Sequence, residues 1–252
     1  MKNAPAATPS RGQANPTRGI SVSARWGWDP SANKKSQRLR PAAILAVLAV
    51  LIVATPAFAG PPFVCHPFEI GTAKSLPSDP TNWLTVRADY DVHQVVADTE
   101  ALLTASTTTL VRMETLRRAA LYASLDRAVA EQLIAAMMAR VEKAEHAGQS
   151  MALALFDAGY VVEALSEIEQ FGNHMKDLAG REKLLAGLTR PFDGRALIQK
   201  SLSLRPGDAS IEFALSLLLP SSERDPYLRR ARAGARGDSL LANNMAKLQL
   251  LQ

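Results

Sequence analysis

The sequence predicts an all-α fold of antiparallel helical hairpins, and three observations predict it. From Trp83 to the C-terminus, apolar residues recur every three or four positions, the period of a helix with one buried face. Val/Ile-rich alternation, the mark of a strand, is absent outside the first 59 residues. At an offset of 30 residues, Ile198 aligns with Leu228, Gly207-Asp208 with Gly237-Asp238, Ile211 with Leu241, Leu215 with Met245 and Leu218 with Leu248. A fixed period of that size marks helix pairs stacked on one another.

Residues 1–59 form a separate unit. The run 42–54 (AAILAVLAVLIVA) is unbroken and apolar. Lys34, Lys35, Arg38 and Arg40 precede it, and Thr55-Pro56-Ala57-Phe58-Ala59 ends it with two small residues around Phe58. A basic segment, an apolar segment and a small-x-small ending make a bacterial secretory signal peptide. The expected outcome is cleavage after Ala59 and export to the periplasm or cell envelope. The alternative is an uncleaved inner-membrane anchor over residues 41–58. A spanning helix takes about 20 apolar residues, and Pro56 closes this run sooner. Residues 1–33 are rich in Ala, Pro, Ser, Asn and Gly without periodicity, a composition that cannot build a core.

Charge belongs mostly to that leader. The whole chain carries +5, but residues 1–59 hold eight of its 29 basic residues and one of its 24 acidic ones. This leaves 21 basic and 23 acidic residues, a net charge of −2, on residues 60–252. Nucleic acid is therefore excluded as a partner predicted from charge, because phosphate binding needs clustered positive charge on the folded part. One cysteine, Cys65, leaves no internal disulfide, so packing must hold the fold.

Residues 60–82 read as an extended lead-in, because Pro61, Pro62, Pro67, Pro77 and Pro80 forbid a regular helix. Their apolar members Phe63, Val64, Phe68, Ile70 and Leu76 place the lead-in against the domain rather than free of it. The helical domain covers 83–252. A first helix is predicted over 83–104 from Val92, Val95, Val96, Leu102 and Leu103. Thr107-Thr108-Thr109 form a cap region for a second over 109–123. Asp126 opens a third, which Gly148 closes. In 150–171 the apolar phase of Leu153, Phe156, Tyr160, Ala164, Ile168 and Phe171 runs straight through Gly159. One long helix is predicted there, with Gly159 admitting a close neighbour. The Gly-rich stretch 172–194 reads as an irregular connection with a short helix at 180–188. Two helices then flank the Arg205-Pro206-Gly207-Asp208 corner of 195–219. Asp225-Pro226 are predicted to start the next helix, and Asp238 the last.

The stretch Ala196–Asp208 (ALIQKSLSLRPGD) resembles the second helix and corner of a tetratricopeptide repeat, and Phe213-Ala214-Leu215 is similar to the small-residue contact zone that follows. Asp157-Ala158-Gly159-Tyr160 with Glu163-Ala164-Leu165 also looks like the glycine–tyrosine turn of that repeat, a reading that competes with the continuous helix. The resemblance covers about 60 residues at the C-terminus, with a period of 30 rather than 34 and no tryptophan–leucine–glycine opening. It implies a short tetratricopeptide-like solenoid that binds a protein or peptide and carries no catalytic residues.

Chemistry-bearing patterns are few. Adjacent Cys65 and His66 are the weak candidates for a metal or an activated thiol. The competing reading, a cysteine that tucks the lead-in onto the domain, is favoured. His93, His146 and His174 stand far apart. Glu163, Glu167 and Glu169 read as a solvated helix face, and Met137 and Met138 as core. Arg224, Arg229, Arg230, Arg232 and Arg236 cluster near the second repeat copy, with Arg229, Arg230 and Arg232 the candidate partner surface. No nucleophile-elbow, dinucleotide or phosphate-loop motif occurs. No catalytic, cofactor-binding or metal-ligating set is predicted. The expectation is an exported, non-catalytic helical scaffold whose partner is another envelope protein or a peptide. The alternative is a metal- or thiol-dependent protein using Cys65 and His66.

Overall fold

The computed structural model describes residues 63–250. The predicted signal peptide, its cleavage site and the anchor segment 41–58 lie outside them. Among the described residues all regular structure is helical, with nine α-helices and no strand, and no helix is long and apolar enough to cross a membrane.

The helices are α1 (Val95–Leu102), α2 (Thr109–Ala123), α3 (Arg127–His146), α4 (Ala152–Phe171), α5 (Arg181–Leu185), α6 (Gly194–Leu204), α7 (Ala209–Leu218), α8 (Ser221–Ala235) and α9 (Ser239–Lys247). Aspartates start five of the helical segments. Asp91 caps a 3₁₀ turn, and Asp126, Asp193, Asp208 and Asp238 cap α3, α6, α7 and α9 by accepting backbone N–H groups that have no intrahelical partner. Asp208 and Asp238, one period apart, accept from the residues two and three ahead of them in the same way.

Helix α4 is the hub. It packs against α2, α3, α5 and α6, while α7 packs on α8, and α2 also touches α1 and α7. Gly159 lies inside α4, as the unbroken apolar phase predicted, and faces the start of α6. Every residue of α2 except Arg118 is buried, Arg112, Glu114 and Arg117 included. Helix α2 is therefore enclosed on all sides, where the sequence shows only one apolar stripe.

Two predicted boundaries moved. The helix expected over 83–104 is regular only from Val95, after the 3₁₀ turn Val92–Gln94. Upstream, Asp79 Oδ1 accepts from Thr81 N at 2.7 Å and from Asn82 N at 3.3 Å, and Asn82 Oδ1 accepts from Leu84 N at 3.0 Å. These side chains offer the backbone an alternative to the helix. Helix α8 starts at Ser221, ahead of the expected Asp225-Pro226. Pro226 removes one N–H bond, to the carbonyl of Ser222. Both residues are exposed, so water meets that carbonyl.

Candidate functional sites

The described part of the lead-in has no regular structure beyond one 3₁₀ turn, Phe63–Cys65, yet Phe63, Val64, Phe68 and Leu76 are fully or almost fully buried. A buried irregular backbone must find partners outside itself. Helix α2 supplies most of them. Glu114 accepts from Phe68 N at 2.9 Å, Arg117 donates to the carbonyls of Val64 at 3.1 Å and Trp83 at 3.0 Å, and Arg118 donates to that of Leu76 at 2.5 Å. Thr115 bonds Ser75 at 3.0 Å, and Tyr122 Oη bonds the Pro77 carbonyl and Arg87 N. From α4, Glu167 accepts from Phe63 N at 3.2 Å and Val64 N at 3.0 Å. From α9, Asn244 accepts from Glu69 N at 2.7 Å and donates to its carbonyl at 2.9 Å.

The charges in this set are balanced locally. Arg117 and Arg118 both pair with Glu114, at 2.8 and 2.6 Å. Burial alone pushes the Glu114 carboxyl up, but the two arginines and the Phe68 N–H hold it below its ordinary range. Glu167 has no such cation against it. Burial raises it from 4.5 to about 8, against the two N–H donors. A second buried group, Asp157, takes Arg112 at 2.5 Å and Arg140 at 3.5 Å. Burial raises Asp157 to about 6 against the pull of both arginines.

The expected solvated face of α4 is thus a set of clasps. Glu167 holds the lead-in. Glu169 accepts from Gly187 N at 2.8 Å and Thr189 Oγ1 at 3.4 Å. Glu163 accepts from Arg195 N at 3.1 Å and Arg195 Nε at 3.4 Å, which sets a carboxylate on the N-terminal turn of α6.

Cys65 and His66 line one cavity of about 220 Å³ with Phe68, Trp83, Asn244 and Lys247, although neighbours in an extended segment point apart. The 3₁₀ turn explains the difference, because it folds the chain just ahead of His66, whose N–H bonds the Phe63 carbonyl at 3.0 Å. Burial and the nearby Glu167 charge push the Cys65 thiol up to about 11, so it is not an activated nucleophile. Its Sγ lies 3.4 Å from Met175 Sδ. Burial and the nearby Arg117 charge lower the His66 imidazole. Among the described residues, no group of three His, Cys, Asp or Glu side chains is placed to hold a metal ion.

Two arginines of the cluster are engaged. Arg230 pairs with Glu212 at 2.6 Å and lies over the Tyr227 ring at 4.8 Å from its centroid. Arg232 donates to the Leu250 carbonyl at 2.6 Å. Arg229 is exposed.

A further concave surface lies where α4 meets the loop before α6. Two cavities of about 280 and 460 Å³ share the wall residues Glu163, Ser166 and Phe192, so they form one groove. Gln170, Thr189 and Arg190 line one end, and Gln199, Leu219 and Glu223 the other. Phe192 is exposed on its wall. No family model, curated protein or solved structure matches the chain. Sequence reading missed this groove because its residues are scattered over 162–223. The available signal was Phe192, a large apolar residue in a Gly/Pro-rich connection where nothing local could bury it.

Proposed function

We propose that the chain is an exported, non-catalytic helical scaffold of the bacterial cell envelope, and that it holds a partner protein or peptide in the groove between α4, the 189–193 loop and α6. The observation that carries this reading is the groove itself, with an exposed aromatic ring on a wall of hydrogen-bonding side chains. An aromatic anchor within a polar rim is the usual make-up of a protein-binding patch. The leader motif at 34–59 supports export. The matched Asp208 and Asp238 caps, with Ile211/Leu241 and Leu215/Met245 buried one period apart, support a tetratricopeptide-like C-terminal segment.

The test places a photo-crosslinking amino acid at Phe192 or Gln170 in the full chain expressed in a bacterial host, with Leu204 as control. Leu204 is exposed at the far end of α6. The reading expects the same adduct from both groove positions and none from Leu204. Equal labelling at all three positions, or none at the groove, overturns it.

A further inference from the structure

We propose that Cys65 and Met175 form a site for a soft monovalent metal ion of the cuprous type. The site is separate from the groove and does not depend on the scaffold reading. The two sulfurs come from distant parts of the chain, the lead-in turn and the connection after α4, and stand 3.4 Å apart. Metal–sulfur bonds of about 2.3 Å allow one ion to bridge sulfurs up to about 4.6 Å apart, and a trigonal ion needs about 4.0 Å. A small rotation about the flexible methionine side chain covers that difference. Both residues are partly exposed, so an ion has access.

The donor set decides the metal class. A thiolate and a thioether are soft ligands that select cuprous ion over hard cations and over zinc, which takes no thioether in its ordinary sites. His66 opens onto the same cavity as Cys65. Lys247, on that cavity's wall, does not oppose a cation strongly, because it pairs with Glu69 at 2.6 Å. As the ion binds, the sulfur–metal bond replaces the S–H bond and the proton passes to solvent; no electron is transferred.

The experiment titrates the full chain with cuprous ion, without oxygen, against a chromogenic cuprous chelator. One ion per chain is expected, with a thiolate-to-metal absorption in the near ultraviolet. Since Cys65 is the sole cysteine, Cys65→Ser should abolish that absorption. Met175→Leu keeps size and apolarity and should weaken binding at least tenfold, with helical circular dichroism unchanged in both variants. Zinc ion should not compete at equal concentration. Failure to take the ion from the chelator, unchanged affinity in Met175→Leu, or equal binding of zinc each overturns the site.

Discussion

Gly159 and Gly194 meet backbone to backbone. A Cβ on Gly159 would stand 2.5 Å from the Gly194 carbonyl oxygen, and one on Gly194 would stand 2.6 Å from the Gly159 carbonyl oxygen. The contact sets how closely α6 lies on α4. Ile198 and Leu197 close the same gap, at 2.8 and 3.0 Å from the position of a Gly159 Cβ.

Gly159→Ala therefore separates two opposing effects. Alanine gains about 1 kcal/mol of helix propensity over an interior glycine. The clash is with backbone, which cannot rotate away, and overpacking costs about 1–3 kcal/mol. The clash should win. A urea unfolding curve is expected to show a net loss of up to about 2 kcal/mol. A variant as stable as the parent would mean that α6 can slide on α4.

Arg117→Met should be among the most damaging single substitutions. It removes one of two cations from buried Glu114 and leaves the Val64 and Trp83 carbonyls without their donor. Breaking a buried pair from one side costs about 3–5 kcal/mol. The double variant Arg117→Met with Glu114→Gln removes the buried carboxylate charge but leaves the partly exposed Arg118 without its carboxylate, so it should recover only a small part of that loss. Thermal melts of the parent, the two single variants and the double variant measure the coupling.

Stability should depend on pH through Glu167. Its folded pKa, about 8, lies above its ordinary 4.5. The folded chain therefore keeps a proton that the unfolded chain releases, and stability falls as pH rises. The contribution is complete below about pH 4.5 and is lost by the time pH passes about 8. Urea midpoints between pH 5 and pH 8.5 should decline in the parent and decline less in Glu167→Gln. Parallel slopes would show that Glu167 does not hold its proton.

Asp208 and Asp238 should each contribute about 1 kcal/mol as helix caps. Asp208→Ala is expected to cost more than Asp238→Ala. Asp208 also pairs with Arg205 at 3.2 Å and accepts from Thr109 Oγ1 at 3.4 Å, which links α7 to the start of α2. Paired chemical denaturation of the two variants gives the order.

Helix content was legible in the sequence wherever one face alone is buried or a cap is local. The 109–123 and 150–171 helices, the Asp126 and Asp238 starts and the close packing of Gly159 all follow from period and capping chemistry. The polar interior was not legible. Arg112, Glu114, Arg117 and Arg118 look like the wet side of α2, and Glu167 like the wet side of α4. The burial of Glu114, Arg117, Arg118 and Glu167 follows from the lead-in, whose prolines prevent it from satisfying its own backbone, while Arg112 is buried against Asp157 and the Thr104 and Thr107 carbonyls. A segment that pairs buried apolar residues with no regular structure requires donors and acceptors from elsewhere. The closely spaced Glu and Arg residues of 112–118, within an apolar helix, were the place to look. The meeting of Cys65 with Met175 leaves no trace in a local pattern, because 110 positions separate them.

The double hydrogen bond between Asn244 and Glu69 joins positions 175 apart. In topological terms it closes the described chain into a ring, so neither end can peel away alone. Fraying of α9 frees the strap at Glu69, and loosening of the strap there exposes Asn244 of α9. A contact of such sequence separation is also slow to form, because the loop entropy is lost before the contact rewards it. A chain arrested before Asn244 emerges should leave its N-terminal strap unfastened, and proteolysis near Glu69 would report whether the last helix has arrived.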